Sequence, residues 1–409
     1  MTYQAQKVIG TVLVLLVLVG GGYYLFKTKI GTINIPNKEP IDTPAGGGNA
    51  ESLPGFDVPE GFSLRIFAKD VPGARAIEIG PRNEILVSQT GEGKIVALRN
   101  KDFDGEADEA ITVKSNLNGP HGLAFQCPDD GAECRLYVAE KDALKVFDYD
   151  RETSKVSNEK KLLDFPAGSL GTHFTRSLLF LPSPDDEILL ISIGSSCNVC
   201  HESDTRRASI LSYDTSTGKS EQYAKGLRNS VFMTLSPVDG KVFATEMGRD
   251  NLGDNVPPDE INIIEKWKNY GWPICYGKNI HDTQFDKNTY IRNPCMEPFE
   301  TPSLVDLQAH SAPLGLAFIP EEGWPEEYWY DLLVAYHGSW NRSEPTGYKI
   351  VRLKMSAKGE YSGTEDFIVG WLRSDGAKVG RPVDIKVFSG GVAYISDDSA
   401  GVIYKLSRD

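Results

Sequence analysis

The sequence predicts an all-β domain, a six-bladed β-propeller, preceded by one N-terminal transmembrane helix. Two observations predict the propeller. A strand–turn–strand unit recurs six times after residue 55, and the 409-residue chain is rich in turn formers, with 40 Gly and 24 Pro. A third observation predicts the helix, because residues 8–26 contain no charged side chain.

The segment of residues 8–26 is rich in Val and Leu and lies between Lys7 and the pair Lys27 and Lys29. At about 1.5 Å rise per residue it would nearly cross a hydrocarbon core of about 30 Å. A cleaved signal peptide is the alternative, but no small-x-small cleavage site follows. We therefore expect an uncleaved membrane anchor. The flanking lysines nearly balance, so they do not fix its orientation.

The stretch between the anchor and the repeats, residues 27–54, is rich in Gly, Pro, Asn and Thr. Such a composition has little to bury and is typical of a flexible tether. We expect residues 1–7 to be a short flank and residues 55–409 to be the folded domain.

Each repeat begins with an apolar alternation, passes through a turn and returns as a second apolar strand. The six copies begin at Ile77, Leu123, Leu178, Met233, Leu316 and Ile385. No single blade can bury both of its faces, so the copies predict a closed ring. We expect the alternating segment 61–68 to complete the last blade and remove an exposed sheet edge. The longest gap, residues 269–307, is expected to form a loop on the functional face.

Six cysteines fall into three sequence-local pairs, which predict three disulfides and an oxidising compartment. The pairs are Cys127 with Cys134, Cys197 with Cys200, and Cys275 with Cys295. The spacing Cys197-Asn198-Val199-Cys200-His201 also matches a c-type haem attachment site, so haem and zinc stay open as alternatives to a small disulfide loop. With the anchor, the disulfides predict an extracytoplasmic domain, periplasmic or extracellular. A net charge of −14 argues against a nucleic-acid partner.

Four short segments around the fourth repeat carry a resemblance to a known family. They are residues 226–229, 245–249, 259–264 and 269–273. They resemble the soluble glucose and aldose sugar dehydrogenases that depend on pyrroloquinoline quinone (PQQ), which are six-bladed propellers holding PQQ and calcium. Residues 194–200 and 337–342 look like the sorbosone dehydrogenase-like branch. The resemblance implies oxidation of an aldose or a sugar-derived aldehyde by hydride transfer to PQQ, with electrons passed to an external quinone or cytochrome.

The resemblance also implies roles for individual residues. The candidates are His173 as catalytic base, Arg228, Asn229 and Arg381 as contacts of the quinone, and Gly248 and Arg249 as calcium ligands through their carbonyls. Arg342 or, alternatively, His337 is the candidate substitute for a lysine that this chain lacks. Other positions depart from the family pattern, with Val383 for a second arginine, Leu117 for a glutamine, and Ser195 for the acid that would orient the histidine.

These residue types suit the chemistry that the resemblance implies. PQQ carries three carboxylates, which planar guanidinium groups hold well, and a histidine can take the substrate's hydroxyl proton. Taken alone, His173 could be an ordinary strand-end histidine and Arg228 a salt-bridged blade residue. Two other functions stay open. A calcium-dependent lactonase would show acidic and Asn metal ligands from every blade, and a non-catalytic binding module would not need these residues to converge.

Overall fold

The computed structural model describes residues 52–102, 104–128, 134–166 and 173–409. The first strand, β1 (Phe62–Ala68), precedes three blades of four consecutive strands each. Blade 1 contains β2 (Ala74–Ile79), β3 (Ile85–Gln89), β4 (Lys94–Arg99) and β5 (Glu109–Lys114). Blade 2 contains β6 (Leu123–Gln126), β7 (Cys134–Ala139), β8 (Ala143–Asp150) and β9 (Lys155–Asp164). Blade 3 contains β10 (Leu178–Phe180), β11 (Ile188–Ile193), β12 (Ser209–Asp214) and β13 (Ser220–Lys225).

The remaining three blades differ in how their fourth strand arises. Blade 4 contains β14 (Met233–Leu235), β15 (Val242–Glu246) and β16 (Asp259–Ile264), then a hairpin of β17 (Cys275–Tyr276) and β18 (Ile280–His281), and finally β19 (Val305–Leu307). Blade 5 contains β20 (Pro313–Phe318), a short 3-10 turn (Glu326–Tyr328), β21 (Leu332–Tyr336), β22 (Lys349–Met355) and β23 (Tyr361–Val369). Blade 6 contains β24 (Pro382–Phe388), β25 (Val392–Asp397), β26 (Val402–Arg408) and β1.

The core lies between neighbouring blades, as alternating strands require. Leu86 of blade 1, for example, packs in one cluster with Leu136 and Phe147 of blade 2, and all three side chains are buried. Outer strands are polar where they face solvent, and most of β9 is exposed. Each blade therefore depends on its neighbours, which confirms the predicted ring of six repeats.

The ring is closed by pairing of the first strand with the last. β1 and β26 are antiparallel, and the fully buried Leu64 lies opposite the fully buried Leu406. Phe62 stacks on Trp324 with ring centroids 5.3 Å apart. The predicted closure by residues 61–68 is confirmed. Ser52, which the sequence assigns to the tether, already accepts a hydrogen bond from the Leu64 amide at 3.1 Å.

All three predicted disulfides are formed. The bond between Cys197 and Cys200 leaves no thiol for haem or zinc, so both alternatives are wrong. The long gap forms a hairpin closed by Cys275–Cys295, but its last residues, β19, belong to blade 4 and not to an insertion. The predicted anchor and most of the tether lie outside the described residues. Among the described residues, no helix has both the length and the apolar character needed to cross a membrane.

The strand order places one set of loops on one end of the ring. The first strands of successive blades contact one another around the axis. Four antiparallel strands return the chain to the end from which the blade began, so every first strand starts at the same end. We call this end the upper face. It carries the residues that precede each first strand and the loops that join the second and third strands.

Candidate active site

The upper face brings together every site residue that the sequence predicts. His173 precedes β10, Arg228 and Asn229 precede β14, and Arg381 precedes β24. The β15–β16 loop contains Gly248 and Arg249, and the β21–β22 loop contains Arg342.

The side chain of His173 is held by Ser195. The ring Nδ1 lies 2.9 Å from Ser195 Oγ, and that hydroxyl also lies 2.6 Å from the carbonyl oxygen of Cys197. A carbonyl can only accept, so the single hydroxyl proton goes to Cys197 and Ser195 must accept the other bond from Nδ1–H. The bond assigns the proton of the neutral ring to Nδ1 and leaves Nε2 with a free lone pair. Ser195 thus orients the ring at the position where the family resemblance implies an acid.

Burial keeps His173 neutral. The loss of solvation, with the nearby positive charges of Arg228 and Arg207 adding to it, lowers the pKa of His173 to about 3. A neutral ring with an unprotonated Nε2 is the form that can take a proton from a substrate hydroxyl. The bond from Nδ1–H to Ser195 therefore leaves Nε2 as the atom that can accept a proton.

Gly194 lets His173 and Asn229 approach each other closely. A Cβ atom at Gly194 would lie 2.5 Å from the Cβ of His173 and 2.7 Å from Asn229 Oδ1, closer than side chains tolerate. Asn229 is buried, and its Oδ1 accepts a hydrogen bond of 2.7 Å from Thr175 Oγ1. Its position beside the base is therefore fixed from both sides.

Arg228 is buried and donates mainly to the protein. Its Nε donates to the carbonyl oxygen of Asn198 at 2.8 Å, and its Nη2 donates to Asn198 Oδ1 and to Asp250 Oδ2, both at 2.9 Å. Its Nη1 donates to the carbonyl oxygen of Met247 at 3.3 Å. A guanidinium has five N–H donors, so one remains for a ligand. A two-pronged fork to a quinone carboxylate is not available from this residue as it stands.

A second group of charges, Arg75, Asp398, His337 and Arg381, lies across the ring. Arg75 Nη1 lies 3.2 Å from Asp398 Oδ2, and His337 Nε2 lies 2.9 Å from Asp398 Oδ1. Arg381 donates from Nε to the His337 carbonyl at 3.0 Å and from Nη2 to the Gly338 carbonyl. Within the described chain no hydrogen bond uses Nη2 of Arg75 or Nη1 of Arg381. Arg75 therefore pairs with the Asp398 carboxylate, Arg381 donates to two backbone carbonyls, and both guanidinium groups keep donors for an anion.

Arg75 also approaches the base. Its guanidinium lies 5.3 Å from the ring centre of Phe174, the residue after His173, and its Nε lies 3.4 Å from His121 Nε2. Burial lowers the pKa of His121 well below its ordinary value, and Arg75 adds to this effect. His121 is thus a neutral acceptor that orients Arg75. Sequence reasoning missed Arg75 because it follows no motif, and the only signal was its place at the start of a first strand.

Arg342 joins its own β21–β22 loop to the β15–β16 loop and to the segment before β20. It donates to the carbonyl oxygens of Asp254 and Ala309, and its neighbour Ser343 hydrogen-bonds the Asp254 carboxylate. Nearby, His310 Nε2 contacts the Gly253 carbonyl at 2.7 Å, so His310 also joins blade 5 to the β15–β16 loop. The role of Arg342 toward a cofactor stays a prediction.

The β15–β16 loop offers oxygen ligands for a cation. The amide of Gly248 donates to Asp259 Oδ1 at 2.9 Å, which fixes the turn. No hydrogen bond within the described chain engages the carbonyl oxygens of Gly248 and Arg249. Such uncharged oxygens suit calcium, so the residues present fit the predicted ion.

A small cavity of about 20 Å³ lies behind this loop, lined in part by Glu246, Arg249 and Trp272. Oε2 of Glu246, Nε of Arg249 and Nε1 of Trp272 have no hydrogen-bond partner among the described residues. Oδ2 of Asp282, which also lines the cavity, pairs with Arg249 Nη1 at 2.9 Å. With two N–H donors among its polar atoms, the cavity does not match the all-oxygen shell of calcium. The carbonyls of the loop are therefore the better ligands in this region.

The sequence model of the TrAA12-like family matches residues 56–409. The chain belongs to the TrAA12-like family. The family resemblance inferred from the sequence, to soluble PQQ-dependent sugar dehydrogenases, is confirmed. The finer assignment to the sorbosone dehydrogenase-like branch stays a prediction.

Two curated proteins are similar to most of the chain. An uncharacterized protein of Borreliella burgdorferi is 32% identical over 361 residues, covering 85% of this chain and 90% of that protein. The pyrroloquinoline quinone-dependent pyranose dehydrogenase of Coprinopsis cinerea is 24% identical over 413 residues, covering 86% of this chain. The chain spans 54% of the Coprinopsis enzyme, about half its length.

Solved structures share the propeller fold. A calcium structure of the Carbohydrate-Active Enzymes Family AA12 protein of Trichoderma reesei has a TM-score of 0.74 at 21% identity, covering 89% of this chain and 100% of that one. The holo form of the pyranose dehydrogenase PQQ domain of Coprinopsis cinerea has a TM-score of 0.72 at 22% identity, covering 88% of this chain and 100% of that one.

Proposed function

We propose that this TrAA12-like chain is a quinoprotein dehydrogenase that oxidises an aldose sugar or a sugar-derived aldehyde, sorbosone-like in type, on its upper face. The observation that carries the proposal is the buried, neutral His173, whose Nδ1–H is held by Ser195. A base in this state is what removal of a hydroxyl proton requires, and it lies among arginines suited to an anionic cofactor. The relative of known activity, a pyranose dehydrogenase, supports the same reaction class.

PQQ, when bound, would supply the acceptor for the substrate's hydride and pass the electrons to an external quinone or cytochrome. Arg381 and Arg75 would hold its carboxylates through their remaining N–H groups, and Arg228 would add one donor. Asn229 would contact the quinone beside the base. Arg75 thus compensates for the second arginine that Val383 replaces.

The chain's own residues handle the proton. His173 Nε2 accepts the proton of the substrate hydroxyl as the carbon–hydrogen bond breaks. The imidazolium that forms keeps its Nδ1–H bond to Ser195, which prevents rotation of the ring. Calcium, bound by the Gly248 and Arg249 carbonyls, would supply a Lewis acid at the cofactor.

The location of the domain is also part of the proposal. The apolar segment 8–26 would anchor the chain in the membrane, and residues 27–54 would hold the propeller on the extracytoplasmic side. Three disulfides support this placement, because such bonds persist in oxidising compartments. A propeller held near the membrane could deliver electrons to a membrane quinone or a cytochrome.

Reconstitution tests the proposal. The protein would be titrated with PQQ and calcium while quinone binding is followed by absorbance, and dye reduction would be measured over a panel of aldoses and sorbosone. We expect saturable PQQ binding and sugar-dependent dye reduction. No PQQ binding at micromolar concentrations, or lactone hydrolysis that needs calcium alone, would overturn the proposal.

A pair of histidine variants tests the base. His173→Gln should abolish turnover and leave PQQ binding nearly intact. His281→Gln is the matched control, because His281 lies in the hairpin, paired with Asp286 at 3.0 Å, and should not change activity. If His173→Gln destroys PQQ binding instead, the role assigned to His173 is wrong.

A further inference from the structure

The loop closed by Cys197–Cys200 lies on the upper face between β11 and β12. Its residues are half-buried, so apolar packing alone does not hold them. The disulfide spans three positions in sequence and therefore fixes a tight turn. The turn contacts Arg228, Asp250 and Ser195, all of which lie in the candidate active site.

Asn198, at the start of the turn, contacts both partners of the ion pair between the buried Arg228 and the half-buried Asp250. Its carbonyl and its Oδ1 accept hydrogen bonds of 2.8 and 2.9 Å from Arg228. Its Oδ1 also accepts from the Asp250 amide at 2.7 Å, and its Nδ2 donates to the Asp250 carbonyl at 3.0 Å. One amide side chain therefore fixes the guanidinium and the loop that carries Gly248 and Arg249.

Cys197 of the same turn acts on the base. Its carbonyl accepts the Ser195 hydroxyl proton at 2.6 Å, and this bond leaves Ser195 as the acceptor for His173 Nδ1–H. If the carbonyl moved away, the hydroxyl could turn its proton toward Nδ1. The ring would then carry its proton on Nε2, the atom that must accept one.

We propose that the Cys197–Cys200 turn is a positioning element of this active site and that Asn198 is its principal positioning residue. The disulfide fixes the positions of the Cys197 carbonyl and the Asn198 side chain relative to each other. The Cys197 carbonyl orients His173 through Ser195, and Asn198 orients Arg228. The proposal rests on the proposed function, because it assigns the turn to that site. It explains why this chain works with a serine where an acid is expected.

Three variants test the proposal. Asn198→Ala removes the amide that joins Arg228 to Asp250 but leaves the disulfide. The double variant Cys197→Ser/Cys200→Ser opens the turn but keeps Asn198. The matched control is Cys127→Ser/Cys134→Ser, which removes a disulfide at the opposite end of the ring, between β6 and β7.

We expect distinct results for the three variants. Asn198→Ala should weaken PQQ binding about tenfold, because Arg228 loses part of its orientation. Opening the turn should weaken PQQ binding similarly and also lower kcat about tenfold or more, because the base is affected. The control should keep kcat and PQQ affinity within twofold of the unmodified protein. Thermal melts of all three would show whether loss of activity follows loss of fold.

The proposal is overturned if opening the turn leaves kcat and PQQ affinity within twofold, or if both disulfide variants lose activity in parallel with their melting temperatures. Failure of the proposed function would show differently, as absence of PQQ binding by the unmodified protein. In that case ¹⁵N NMR of the histidine rings still tests the inference, with His173→Gln to assign the signal. His173 should be protonated at Nδ1 in the unmodified protein and lose this preference when the turn is opened. An unchanged ring signal would refute the positioning role.

Discussion

The contact between Ser195 and His173 makes the sharpest prediction about activity. Ser195→Ala removes the only acceptor for Nδ1–H among the described residues, at 2.9 Å. The histidine then has two options. It can keep the productive tautomer with a buried, unsatisfied N–H, or it can move its proton to Nε2 and cease to be a base.

The magnitude follows from the cost of that unsatisfied donor. Leaving a buried N–H without a partner costs about 1–3 kcal/mol, which corresponds to about a 5- to 150-fold loss of the productive tautomer. We therefore expect kcat to fall by about that factor, while PQQ affinity and the KM for sugar change little. Among the described residues the hydroxyl contacts His173 Nδ1 and the Cys197 carbonyl, and neither of these atoms is assigned to PQQ or sugar.

The assay is steady-state dye reduction by PQQ-loaded protein, with PQQ affinity measured separately. Ser209→Ala is the matched control, because Ser209 is buried in the same blade and donates to the Arg206 carbonyl at 2.8 Å. Activity within twofold of the unmodified protein, or a loss confined to KM, would refute the reasoning about the tautomer.

Four further predictions concern pH, packing and closure. The pKa of His173 is lowered to about 3 from an ordinary 6.5, so between these pH values the unfolded chain binds more protons than the folded chain. His173 therefore lowers the free energy of unfolding as pH falls from 6.5 to 3. A fall of kcat/KM centred near pH 6.5 would contradict this assignment. Gly194→Ala should lower kcat about 100-fold, because the new Cβ would displace His173, and the circular dichroism spectrum should stay unchanged. Retained activity would show that His173 and Asn229 can move to accommodate the methyl group. Burial raises the pKa of Glu260 to about 7 from 4.5, so this carboxyl destabilises the fold increasingly as pH rises from about 4.5 to 7. Both of its oxygens accept N–H bonds, from Gly277 and Asn262, and an amide can accept only one of them. In urea titrations the effect of Glu260→Gln on the free energy of unfolding should therefore be more favourable at pH 8 than at pH 4 by up to about 3 kcal/mol, and an equal effect at both pH values would mean that the charge is compensated. Leu64→Ala and Leu406→Ala should each lower the free energy of unfolding by about 2–5 kcal/mol in urea titrations, because both side chains are fully buried. The two losses should not be additive, because the residues lie opposite each other in the strand pair that closes the ring.

The repeats were predictable because strand alternation is a local property. Each copy shows its own apolar pattern, and the place of Leu123 or Met233 in a first strand can be recognised without knowledge of its neighbours. The end of the long gap was harder to assign. The strand β19 has three residues, too few for an alternation to stand out, and only its pairing with β16 identifies it.

The candidate site was predictable only where a residue type carries the chemistry. His173 and Arg381 could be proposed from the sequence, but the donors of Arg228 are mostly occupied by Asn198 and Asp250, and no spacing shows that. Arg75 and Asp398 are separated by more than three hundred residues and meet only because the ring closes. A contact of that kind depends on the topology of the whole ring.

The pairing that closes the ring has a consequence for how the protein is made. Ser63 and Ser407 face each other across 344 positions of sequence. At a synthesis rate of about 5–20 residues per second, the first strand waits roughly 17–70 s for its partner. During that time its backbone groups are unpaired, so other chains compete for them. The lifetime of this nascent edge, together with the stability of the finished ring, would then affect how much active protein a cell obtains.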